Sequence, residues 1–130
     1  MSQAETLADA KSQAEAQLAS ILEYVEAYDN AETDLEREDA ERAIREDPLS
    51  VEIRSQWASP GETFVPDEFR ILLCTGGPAV RIVGDLGAHS EPETVSIEYQ
   101  GWFTPWTELR LTAEQTEAVK RYCSFFYYGE

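Results

Sequence analysis

The chain has 130 residues, 42% of them hydrophobic, with three Trp, six Tyr and five Phe. That is long enough for one domain with its own core and too rich in core-forming side chains for wholesale disorder. Its formal charge is −16, from 26 acids against 10 bases, and such a field argues against direct binding to DNA, RNA or an anionic membrane, whose phosphates it repels.

The expected fold is α+β in a single domain, an acidic helical region over residues 1–47 followed by an antiparallel sheet and a carboxy-terminal helix over 48–130. Residues 1–49 hold 14 acids and four bases, against 12 and six in residues 50–130, so the amino-terminal third is the more acidic part. From Ser2 to about Asp29 the chain is rich in Ala, Gln, Glu and Leu and lacks Gly and Pro, which predicts one long helix. Ala4, Leu7, Lys11, Ala14, Leu18, Ile21, Val25 and Tyr28 recur at spacings of three and four and draw a stripe along it. Such a stripe packs either on the protein's own sheet or against a second copy, so Leu7, Ala14, Leu18, Ile21, Val25 and Tyr28 are the candidate seam of a homodimer.

Asp29-Asn30 is a natural break. A second helix is expected from about Ala31 to Arg45, ended by Pro48, so the amino-terminal region is a long helix or a helical hairpin. Its apolar positions, Leu35, Ala40, Ala43 and Ile44, are scattered among acids, enough for a narrow buried stripe only.

After Pro48 the pattern alternates. Val51, Ile53 and Trp57 interleave with Glu52, Arg54 and Gln56, as in a strand with one buried face. Ala58 to Glu68 is expected as a loop. FRILLC (Phe69–Cys74) suits a central strand, TGGP (Thr75–Pro78) a tight reversal, and AVRIVGDL (Ala79–Leu86) the returning strand of a hairpin. After a turn over Gly87–Glu93, Val95, Ile97 and Tyr99 alternate with polar residues in a fourth strand. Thr112 and Gln115 form a capping box for a last helix whose face carries Val119, Tyr122, Cys123 and Phe126. The elements sum to a four-stranded antiparallel meander with helices packed on one side.

No pattern for catalysis emerges. TGGPAV lacks the lysine and following helix of a phosphate loop. Cys74, Asp85 and the sole histidine, His89, make a Cys/His/Asp set only on paper, because Cys74 ends the most apolar strand while His89 sits in a polar turn. The acids after Asp29 do not follow a calcium loop, and no metal site or cofactor is expected. Cys74 and Cys123 sit among apolar residues with no metal-type spacing and are expected as reduced buried thiols, a disulfide between them being the alternative. The first twenty residues lack a basic start followed by an apolar core, and no apolar run reaches eighteen residues, so a cytoplasmic location is expected.

Two features point to binding instead. Trp102, Phe103 and Trp106 lie within five positions around Pro105, too close together for all to face one core; exposed tryptophan is a frequent anchor of interfaces, the other reading being rings that cover the open edge of a small one-sided sheet. EYVEAYDNAETDLEREDAERAIRED (Glu23–Asp47) holds eleven carboxylates and three arginines. Along a helix that is one carboxylate per roughly 3.4 Å, near the phosphate spacing of one DNA strand. The density is either a solvated face or a surface that meets a basic partner. Its candidate contacts are Asp29, Glu32, Asp34, Glu36, Glu38, Asp39, Glu41, Glu46 and Asp47, joined by Trp102 and Trp106.

REDPLSVEIRS (Arg45–Ser55), TGGPAVRIVG (Thr75–Gly84), TPWTEL (Thr104–Leu109) and the ending FFYYGE resemble segments of small uncharacterised proteins carried by bacterial phages and integrated elements. The resemblance spans residues 45–130 and implies no chemistry. In size and acidity, without a shared motif, the chain is also similar to anti-CRISPR and anti-restriction inhibitors, many of which occupy the basic surface of nucleic-acid-binding machinery. The leading expectation is therefore a non-enzymatic inhibitor whose acidic helices dock on a basic, nucleic-acid-binding protein complex. The alternative is a structural domain that dimerises through its first helix and is acidic for solubility alone.

Overall fold

The computed structural model describes residues 3–63 and 65–129. Helix α1 (Gln3–Asp29) runs for 27 residues because no glycine or proline interrupts it, and it stops at the Asp29-Asn30 turn. Helix α2 (Asp34–Glu46) follows a short linker and begins at an N-cap, where Thr33 Oγ1 accepts from the Glu36 backbone N–H at 3.1 Å. It therefore starts three residues later than its composition suggests. Pro48, two residues past its end, cannot continue it.

The sheet has five strands, all antiparallel, in the order β1-β2-β3-β4-β5. They are β1 (Ser50–Ser55), β2 (Pro66–Cys74), β3 (Ala79–Asp85), β4 (Ser96–Gln100) and β5 (Thr107–Leu109). The meander is as expected, but it has a fifth strand where four were anticipated. β5 is only three residues long, too short to show a period, and pairs Tyr99 with Thr107 and Ile97 with Leu109. Strand β2 also starts at Pro66, inside the stretch expected as loop, because Pro66 and Glu68 pair with Ser55 and Arg54 of β1 despite the polarity of this segment. Helix α3 (Ala113–Cys123) opens on the Thr112–Gln115 capping box, in which both reciprocal hydrogen bonds are made.

One face of the sheet carries Phe69, Ile71, Leu73, Val80, Ile82, Ile97, Tyr99 and Leu109, and α1 lies across it. Ala10, Ala14, Leu18, Ile21 and Val25 face that core; Ala4 and Lys11 are exposed. The dimer seam expected along α1 is thus used within the chain. Ala14, Leu18, Ile21 and Val25 are buried, Leu7 and Tyr28 are half-buried, and Tyr28 packs edge-on against Phe125, 4.8 Å between ring centres. Each fully buried aliphatic chain here stabilises by about 1.5–3 kcal/mol. At the amino end α1 comes close to Gly101, where a Cβ would run into the Thr6 backbone, and Thr6 Oγ1 donates to the Trp102 carbonyl at 3.3 Å.

The three helices and the tail are tied by polar side chains that are wholly or partly buried. Asp47 accepts from the Tyr122 hydroxyl at 2.6 Å and from the Tyr24 hydroxyl at 3.3 Å, so one carboxylate joins α1, the end of α2 and α3. Tyr128 folds back to donate to the Cys123 carbonyl at 2.6 Å, its ring 5.0 Å from Phe69. Both cysteines are free thiols; Cys123 is buried and Cys74 half-buried.

Burial pushes the Tyr122 and Tyr128 phenols and the Cys123 thiol well above their ordinary values of 10.0 and 9.0, the Asp47 carboxylate adding to the effect on Tyr122. These groups stay protonated in the folded chain and ionise at ordinary pH values once unfolded. Their contribution is complete below pH 9.0 and is lost as pH climbs toward the folded values. Denaturant titrations above pH 10 should show stability falling by about 1.4 kcal/mol per pH unit for each such group. Tyr122→Phe should remove one proton from that slope and cost about 1.5–3 kcal/mol at neutral pH, the value of a hydrogen bond to a charged acceptor.

Candidate functional site: the acidic ridge and the aromatic turn

Helix α2 buries a single side chain, Ile44. Leu35, expected with it on a narrow apolar stripe, is nine residues earlier. At 100° per residue that is the opposite side of the helix, and Leu35 is 67% exposed. Everything on α2 other than the Ile44 stripe therefore faces water, and with α1 it forms a ridge of carboxylates.

Those carboxylates divide by what they do locally. Asp34 pairs with Arg37, Asp39 with Arg42 and Glu41 with Arg45, all one turn apart, and Asp29 pairs with Arg121 of α3. Glu36 reaches back to accept from the Glu32 backbone N–H at 2.9 Å, helping to cap α2. Asp47, expected among the partner contacts, is instead half-buried in the Tyr24–Tyr122 clasp, and its charge is engaged in holding the helices together. Among the described residues, the side chains of Glu23, Glu26, Glu32, Glu38 and Glu46 are exposed and have no hydrogen bond or ion pair. The exposed, paired Asp29, Asp34 and Asp39 also remain reachable, since ion pairs of this kind contribute little and open readily.

The aromatic residues of residues 102–106 divide in the same way. Trp106 is half-buried, with the Arg81 guanidinium 3.8 Å above its ring and Arg81 paired to Glu98 at 2.8 Å. It is part of the sheet's polar face. Trp102 and Phe103 are 57% and 87% exposed on a turn fixed by buried Thr104, whose hydroxyl accepts from the Gly101 N–H at 2.8 Å. Phe103 holds φ +62°, a left-handed conformation disfavoured for a bulky residue.

The ridge and the aromatic turn do not form one patch. Trp102 is held beside Thr6 and the acidic helix ends beside Tyr24, eighteen residues apart on α1, or about 27 Å of helix. The exposed apolar side chain that sits among the acids is Leu35, which its spacing from Ile44 makes legible in the sequence.

On the face of the sheet away from α1, an open groove of about 630 Å³ is lined by charged side chains that include Glu52, Arg54, Glu68, Arg70, Arg81 and Glu98. They form cross-strand pairs, Glu52 with Arg70, Arg54 with Glu68 and Arg81 with Glu98. Cys74 and His89 do not meet: Cys74 pairs opposite Val80 near the start of β3, and His89 lies in the exposed turn beyond its far end. Burial also raises the Cys74 thiol above its ordinary value, although its contact with Val80 acts the other way. No helix among the described residues is long and apolar enough to cross a membrane.

No family model, curated protein or solved structure matches the chain.

Phe103→Gly should relieve the left-handed strain and leave stability unchanged or raised by about 0.5–1 kcal/mol, because glycine adopts that conformation freely. A shift in urea midpoint to lower concentration would show that the ring's contacts outweigh the strain.

Proposed function

We propose that the protein is a non-enzymatic binding protein, of the anti-restriction or anti-CRISPR kind, whose α1–α2 ridge docks on the basic surface of a nucleic-acid-binding complex. The observation that carries this reading is the division of labour among the acids. Arginine pairing, capping and the Asp47 clasp account for some of the carboxylates between Glu23 and Asp47, while Glu23, Glu26, Glu32, Glu38 and Glu46 have no such role. Like charges spaced along one helix oppose its formation, so their density needs another cause, and a cationic partner supplies one. The negative field would speed the encounter, and exposed Leu35 gives the ridge an apolar point of contact that carboxylates lack.

Glu26, Glu32, Glu38 and Glu46 can be reversed without touching a capping or clasp residue. Immobilised parent protein should retain nucleic-acid-binding proteins from a bacterial lysate, and retention should fall steeply as salt is raised from about 50 to about 200 mM. The fourfold Glu→Lys variant, folded by circular dichroism, should retain none of them. Equal retention by parent and variant would defeat the proposal.

A further inference from the structure

The two edges of the sheet are built differently. At one end β5 is three residues long and follows Pro105, features that blunt an edge. At the other end β1 has six residues, no proline and no bulge except at its last position. Among the described residues β1 is paired on one side only, which leaves its outward N–H and C=O groups without a strand partner. Val51 and Ile53 point to the core side of the sheet, opposite Ile71 and Phe69, yet are 37% and 50% exposed, because β1 packs extensively only on β2. Leu49 and Trp57, which flank the strand, are 60% and 103% exposed. The chain thus carries an open strand edge with a partly exposed apolar row.

Its sequence, SVEIRS, is self-complementary. If two copies of β1 pair antiparallel about a two-fold at Ile53, Ile53 faces its equivalent on the core side. On the other side Glu52 lies opposite Arg54 of the second copy and Arg54 opposite its Glu52. Each row then alternates in sign across both molecules, Arg70, Glu52, Arg54, Glu68, because Arg70–Glu52 and Arg54–Glu68 are already paired within each chain. Leu49 falls opposite Trp57. Moving the axis to Glu52 or to Arg54 sets like charges directly against each other, and a one-residue slip turns the apolar face of one copy to the polar face of the other. Of these registers only the one centred on Ile53 satisfies both faces.

We infer that β1 is the self-association surface of this protein, joining two copies through an antiparallel β1–β1 ladder centred on Ile53 into a continuous ten-stranded sheet. Other extended segments would gain the same backbone hydrogen bonds, but the charge register is specific to a second copy.

The register makes the test reciprocal. By light scattering at about 0.15 M salt, where repulsion beyond about 8 Å is screened, the parent should have twice the 14.7 kDa mass of one chain. Glu52→Arg and Arg54→Glu, each placing like charges opposite across the axis, should each be monomeric. Mixed one to one, they should dimerise, because the two arginines of one then meet the two glutamates of the other. A monomeric parent, variants that stay dimeric alone, or a mixture that stays monomeric would each overturn the inference. The acidic ridge takes no part in this test, so its result is separate from that of partner docking.

Discussion

A single helix has to close the hydrophobic face of a five-stranded sheet, and most other features follow from how little it can cover. A helix with its side chains is about 10–12 Å across, whereas five strands span about 19 Å between their outermost axes. Helix α1 lies over β3, β4 and β5. Phe69 on β2 is covered by Tyr128 from the carboxy-terminal tail, whereas Val51 and Ile53 on β1 remain 37% and 50% exposed. The uncovered strand edge is therefore a direct result of using one long helix where two side by side would span the sheet.

The second result concerns the other helices. Because α1 occupies the sheet, α2 and α3 pack on α1, and α2 has just Ile44 with which to do so. One aliphatic side chain is a weak anchor for thirteen residues, and Asp47 supplements it with hydrogen bonds from two tyrosines on different helices. The same run of acids thus contains a residue that fixes the helices in place and residues that have no structural employment.

How much of this was legible in the sequence depends on the range of the signal. The stripe from Ala14 to Val25 was legible because four side chains repeat on one face. Its continuation to Lys11 and Ala4 followed a seven-residue repeat, whereas a straight helix drifts about 20° per heptad, so the buried face passes through Ala10 instead. The capping box at Thr112 and the β2–β3 hairpin are local and were also readable. Strand β5 was hidden, since three residues carry no period, and so was the role of Asp47, whose partners lie 23 and 75 residues away. The separation of Trp102 from the acidic helix is likewise a property of the folded chain, set by which end of α1 each one joins.

The shortness of β5 takes on another meaning beside an adhesive β1. A two-fold ladder consumes both β1 edges at once and leaves only β5 at the two outer margins. Three residues behind a proline are a poor template for a further strand. Assembly by this route terminates at two copies and cannot run on into a fibril, so the least regular strand of the sheet acts as its stop.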